Sequence, residues 1–147
     1  MLEFCDVLVV VGMDAELDES SVDDVSRCED VIVSQWREVS ADVKNQLRER
    51  CDEILHPLGL ETRMVVIRRA NSTALYLICM TLSAIMSLRD QWRKGQLRDI
   101  VQSLFTLLSG ATRPVRVKRL TWTLDDYEQS LGFFHYAQGK VIRWRNG

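Results

Sequence analysis

The sequence predicts an α+β sandwich: one four-stranded antiparallel sheet with helices packed on one of its faces. Three observations carry this. Short runs rich in Val, Ile and Leu recur along the chain. Longer stripes of apolar residues at spacings of three and four separate them. The elements follow in the order β-α-β-β-α-β-α, and a split β-α-β unit of this kind makes a ferredoxin-like sandwich.

Phe4 to Gly12 is rich in Val and Leu, ends at Gly and reads as a buried strand. Met13 to Asp30 holds eight acids and reads as an acidic mobile insertion. Val31-Ile32-Val33 is an apolar patch placed to dock on the core. Ser40-Ala41-Asp42 reads as a helix start, because Ser caps and Asp42 meets the positive end of the dipole. Val43, Leu47, Cys51, Ile54 and Leu58 then form one helix face, which Pro57 and Gly59 end.

Thr62 to Arg69 and Leu75 to Thr81 read as two strands, and the polar turn Ala70-Asn71-Ser72-Thr73 makes them a hairpin. A helical pattern runs from near Ser83 through Ile85, Leu88 and Trp92 to Gly95. It resumes as Leu97, Ile100, Val101, Leu104, Phe105 and Leu108, and Gly110 stops it. Gly95 marks a break between two helices. Pro114 opens a strand in which Val115 and Val117 alternate with Arg116 and Lys118. Thr123 caps a last helix carrying Leu124, Tyr127, Leu131 and Phe134. Lys140 to Gly147 is basic and apolar by turns and reads either as a short strand or as a loose tail.

The 147 residues suit one domain, 1–147, with 46% hydrophobic and 27% charged residues. No apolar run reaches the roughly 18 residues that span a membrane. The first residues lack the basic region of a signal peptide. The four cysteines are widely spread with no CxxC pair. A reduced, cytosolic protein is the expectation. His56 and His135 have no ligand-like spacing to any Cys, so neither a metal nor a cofactor is expected. The net charge of −2 hides a skew: residues 1–30 carry ten acids and one base, the remainder eighteen bases and eleven acids.

Nothing in the chain has the pattern of an active site. GxSxG, HExxH and P-loop motifs are missing. Asp125-Asp126 lies in the first turn of a helix, where the dipole accounts for it. His135 sits among Phe133, Phe134 and Tyr136 and suits packing better than proton transfer. An enzyme is therefore not expected. A nucleic-acid module of the same β-α-β-β-α-β sandwich is the alternative reading. Such modules stack bases on aromatics of the two central strands. The candidate central strands, Val7–Gly12 and Leu75–Thr81, carry one aromatic, Tyr76. Arg68, Arg69, Arg116, Lys118 and Arg119 are left as possible phosphate contacts.

The stretch Trp92-Arg93-Lys94-Gly95-Gln96-Leu97-Arg98 and the following Val101-Gln102 resemble the TRADD-like N-terminal domain family, the N-terminal domain of the TNF-receptor-associated death domain adaptor. That family has an aromatic, an Arg, a charged residue, a Gly, then Leu-Arg and an aliphatic-Gln pair at this spacing. Val66-Ile67-Arg68-Arg69 with its polar turn is similar to the family's hairpin, and Pro114-Val115-Arg116-Val117 to its fourth strand. Val31-Ile32-Val33-Ser34 and the helix from Ser40 follow the family's order.

The resemblance implies a non-enzymatic adaptor with a ferredoxin-like fold. It implies TNF-receptor, apoptosis and NF-kappaB-type signalling, and docking onto the TRAF domain of a TNF-receptor-associated factor. The family docks through its first strand, the hairpin turn and the region beside the fourth strand. Carried across, the partner-binding positions are Leu8, Val10, Arg68, Ala70, Asn71, Leu75, Arg119 and Leu120. The chain departs from the pattern on the first strand, where Leu8 and Val10 replace aromatics, and at Ala70, where the family is polar. Full-length members continue into a death domain, so the resemblance implies either the first domain of a longer adaptor or a shorter relative. Leu97, Ile100, Val101 and Leu104 are expected to bury the second half of the marker stretch on the sheet, which puts binding on the opposite sheet face.

Overall fold

Alternation along one strand decides which sheet face is covered. In β1, Val9–Leu17, every odd residue is buried and every even one exposed. The computed structural model describes residues 8–18, 22–41, 45–110 and 114–146. Its elements are β1, helix α1 (Val22–Ser40), helix α2 (Asn45–Leu55), a 3₁₀ turn (His56–Leu58), strands β2 (Thr62–Arg69) and β3 (Thr73–Cys79), helices α3 (Leu82–Arg93) and α4 (Gln96–Ser109), strand β4 (Val117–Thr121) and helix α5 (Leu124–Asn146). The four strands form one open sheet in the order β2-β3-β1-β4, with antiparallel neighbours throughout. The two central strands are the ones expected from the sequence.

Helices cover one face. α4 is the centre of that layer and packs on α1, α2, α3 and β4. Its stripe Leu97, Val101, Leu104, Phe105 and Leu108 is fully buried against Val11, Met13, Leu75 and Leu77 in one core. Gly95, at φ 80°, ends α3 and begins α4, and Gly110, at φ 63°, ends α4. Both are left-handed positions that glycine adopts without strain. Thr81 and Thr123 cap α3 and α5, their hydroxyls accepting from the Ala84 and Asp126 amides.

Three expectations are corrected. Residues 13–18 and 22–30 are not an insertion, and 19–21 lie outside the described residues. Met13, Ala15 and Leu17 continue the buried side of β1, with Asp14 and Glu16 on its other side. Residues 22–30 open α1, where Val25, Cys28, Ile32, Val33, Trp36 and Val39 recur at helical spacing and pack on the core. Ser40 ends α1 rather than starting a helix. Residues 140–146 are neither strand nor loose tail but continue α5. The first part of the expected strand, Phe4 to Val7, and Asp42 with Val43 lie outside the described residues.

α1 is tied to the hairpin by polar contacts. The bulge between Met64 and Val66 is stabilised by the Trp36 indole, whose Nε1 donates to the Val65 carbonyl at 3.3 Å. Arg69 donates to the Ser26 carbonyl and pairs with Asp30 at 3.0 Å. The buried Glu29 carboxylate accepts the Thr73 hydroxyl proton at 2.5 Å and lies 3.9 Å from Arg69.

Candidate functional site

The sheet face opposite the helices is open. Strand register sets out its side chains in rows. Arg63, Ile78 and Val10 form one row, and Val66, Tyr76 and Gly12 the next. Arg68, Ala74, Asp14 and Thr121 form the third, followed by Glu16 with Arg119. Leu8, Val10 and Val66 are 52%, 57% and 42% exposed. Apolar groups on one sheet face are uncommon in that state unless something covers them.

Gly12 has a steric role here. A Cβ built on it would meet the Tyr76 ring at 3.2 Å, so the missing side chain lets the ring lie across the strand pair. Arg68 then stacks on that ring, its guanidinium carbon 4.9 Å from the centroid, and donates to the Tyr76 hydroxyl at 2.7 Å. A planar cation held on an aromatic loses less rotamer freedom when a partner arrives.

The positions carried over by resemblance fall into three groups. Leu8 and Val10 sit at one end of the open face. Arg68, Ala70, Asn71 and Arg119 sit at the other, near the hairpin turn, and all four are exposed. At about 3.4 Å per residue, roughly 14 Å separates Val10 from the Asp14 row. Asn71 and Arg119 line a cleft of about 310 Å³ together with Asp14, Glu16 and Glu29. Leu75 is fully buried and Leu120 is 7% exposed, so both side chains belong to the core and offer a partner nothing. Leu75 lies on the helix-covered side of β3, because Tyr76 and Ile78 take the open side.

The sequence reading missed Val66, Ile78 and the role of Tyr76. The alternation of Leu75, Leu77 and Cys79 against Tyr76 and Ile78 was the available signal. It also missed an aromatic cluster where α3, α5 and the end of β4 meet. There Arg89 lies 4.1 Å from the Trp92 centroid, 5.0 Å from Tyr127 and 5.1 Å from Trp122, and donates to the Trp122 carbonyl at 2.6 Å. Burial draws the Arg89 pKa down, Tyr127 opposes this, and Arg93 adds to it. The Trp92 indole donates to the Leu120 carbonyl, and Trp122 meets Tyr127 edge to face. The cluster fixes where α5 leaves the sheet.

Burial raises the thiols of Cys51 and Cys79 to about 11. Among the described residues, no group of three or more His, Cys, Asp or Glu is placed to hold a metal ion. No described helix is long and apolar enough to cross a membrane. No family model matches the chain, and neither a curated protein nor a solved structure matches it significantly.

Proposed function

We propose that this chain is a non-enzymatic protein-interaction domain of a cytosolic signalling adaptor, and that it binds its partner through the open face of the sheet. The observation that carries the reading is that face itself: exposed Leu8, Val10 and Val66 beside an arginine already seated on a tyrosine. Tyr and Arg in an apolar surround are the residue types that concentrate binding energy. Asp14 and Glu16 on the same face weigh against a polyanionic ligand such as RNA.

The finer reading is a ferredoxin-like domain that docks onto the TRAF domain of a TNF-receptor-associated factor in apoptosis and NF-kappaB-type signalling. The order β2-β3-β1-β4 supports the fold part, since a split β-α-β pair places its strands so. The partner part rests on the Trp92–Gln102 resemblance. Titration of the chain with a TRAF domain at two salt concentrations tests it. Specific, weakly salt-dependent binding that falls about tenfold or more in Arg68→Glu is expected. Binding to RNA that falls steeply with salt sinks the adaptor reading. Failure to bind any TRAF domain removes the partner assignment.

A further inference from the structure

β1 is longer than the strand beside it. β4 pairs only with its second half: Thr121 lies opposite Asp14, and the chain then turns into α5. From Val9 to Met13, β1 pairs with β3 alone. Alternate residues of an antiparallel strand direct both backbone groups to one neighbour and then to the other. The Asp18 amide donates to the Arg116 carbonyl on the β4 side, so the even residues of β1 face that way. The Met80 amide, which donates to the Glu61 carbonyl on the β2 side, gives the matching phase for β3. Val10 and Gly12 therefore direct their N–H and C=O groups into the space beyond Thr121. No hydrogen bond from another described residue reaches them there.

That space is a groove of about 480 Å³ between β1 and α5. Val10 and Phe133, the latter 62% exposed, form its apolar walls, and Trp122 lies at its base. Among the described residues that line it, Asp126 is the charged one. A strand edge that no described residue pairs, with apolar walls beside it, can accept one more strand: its backbone supplies a ladder, and alternate side chains find the walls.

We propose that this groove takes an extended segment of a partner protein, added alongside β1 from Leu8 to Gly12. At about 3.3 Å per residue the free edge accommodates roughly five residues. The segment carries apolar side chains at every second position and a Lys or Arg to meet Asp126. A second copy of the chain is a poor occupant, because its β1 edge would bring its own α5 and Asp126 into the same groove. This site shares Leu8 and Val10 with the open face but lies apart from its Arg68–Tyr76 part, and it does not depend on a TRAF partner.

The test uses the full chain and a random-peptide phage library, followed by synthesis of the best binder. Enriched peptides with alternating apolar residues and a basic residue are expected. N-methylation of the peptide backbone at alternate positions should weaken binding about tenfold or more, and at the intervening positions hardly at all. Phe133→Glu should weaken binding about tenfold, while Arg68→Glu changes it less than about twofold. The Val10 and Gly12 amides should gain protection from hydrogen exchange. No enriched peptide, indifference to N-methylation everywhere, or loss on Arg68→Glu with Phe133→Glu tolerated would each overturn the proposal. So would dimerisation of the chain that protects the same two amides.

Discussion

Replacing Arg89 with methionine removes a charge and its donors but keeps most of the aliphatic stem. The structure sets the size of the effect. The guanidinium donates to the Trp122 carbonyl at 2.6 Å, and a hydrogen bond from a charged donor contributes about 1.5–3 kcal/mol. Three rings lie within 5.1 Å of it, but one charge is shared among them. A cation–π contribution of about 1 kcal/mol is therefore the reasonable allowance. Desolvation of the guanidinium, visible in its lowered pKa, opposes both. The net expectation is a loss of about 2–3 kcal/mol. Urea unfolding followed by circular dichroism measures it, with an unchanged dependence on denaturant. In a domain of this length the melting temperature should fall by about 5–10 °C. Arg89→Lys should recover less than half, because a compact ammonium cannot both stack and donate in the guanidinium geometry. A loss below about 0.5 kcal/mol, or full recovery by Lys, would refute the reasoning. α5 amides should exchange faster in Arg89→Met, since this cluster seats that helix against α3.

Further expectations follow from single contacts. Gly95→Ala puts a side chain at φ 80° and should cost about 1 kcal/mol by calorimetry, with α3 and α4 still formed. Thr73→Val removes the hydroxyl that donates to the buried Glu29 carboxylate and should cost about 1–3 kcal/mol in urea unfolding. Cys51 and Cys79 hold their protons more tightly when folded, with thiols at about 11 against an ordinary 9.0. Their contribution is complete below pH 9 and is lost as pH rises toward 11, by roughly 2 kcal/mol per thiol at the upper end. Chemical denaturation across that range should show the decline, and a Cys79→Ala variant should show a shallower one.

The fold was legible wherever an apolar pattern met a stop or turn signal. Leu97 through Leu108 between Gly95 and Gly110 was such a case, and so was the β2–β3 hairpin around its polar turn. Residues 13–30 misled because their acids are conspicuous. Alternation in Met13-Asp14-Ala15-Glu16-Leu17 is a strand pattern, and in an open sheet its acidic side can face solvent without cost. The stripe from Val25 to Val39 obeys a helical period, but the acids around its start concealed it. Ser40 has the chemistry of a cap and was placed at the wrong end of a helix, because composition alone does not fix direction. Of the carried-over positions, Leu8, Val10, Arg68, Ala70, Asn71 and Arg119 are exposed, while Leu75 and Leu120 are buried, since the side of a strand that faces the helices depends on register with its neighbours. The Tyr76–Arg68 stack over Gly12, the Arg89 cluster and the gap beyond Thr121 join residues from separate elements, and no local pattern announces them.

The proposed role requires a partner to cover the open sheet face. Methyl-labelled NMR of the chain titrated with a TRAF domain tests it most directly. Shifts concentrated on Leu8, Val10, Val66 and Ile78 are expected, with Leu47, Ile100 and Leu107 of the helical layer unmoved. Shifts confined to those helical methyls would contradict it.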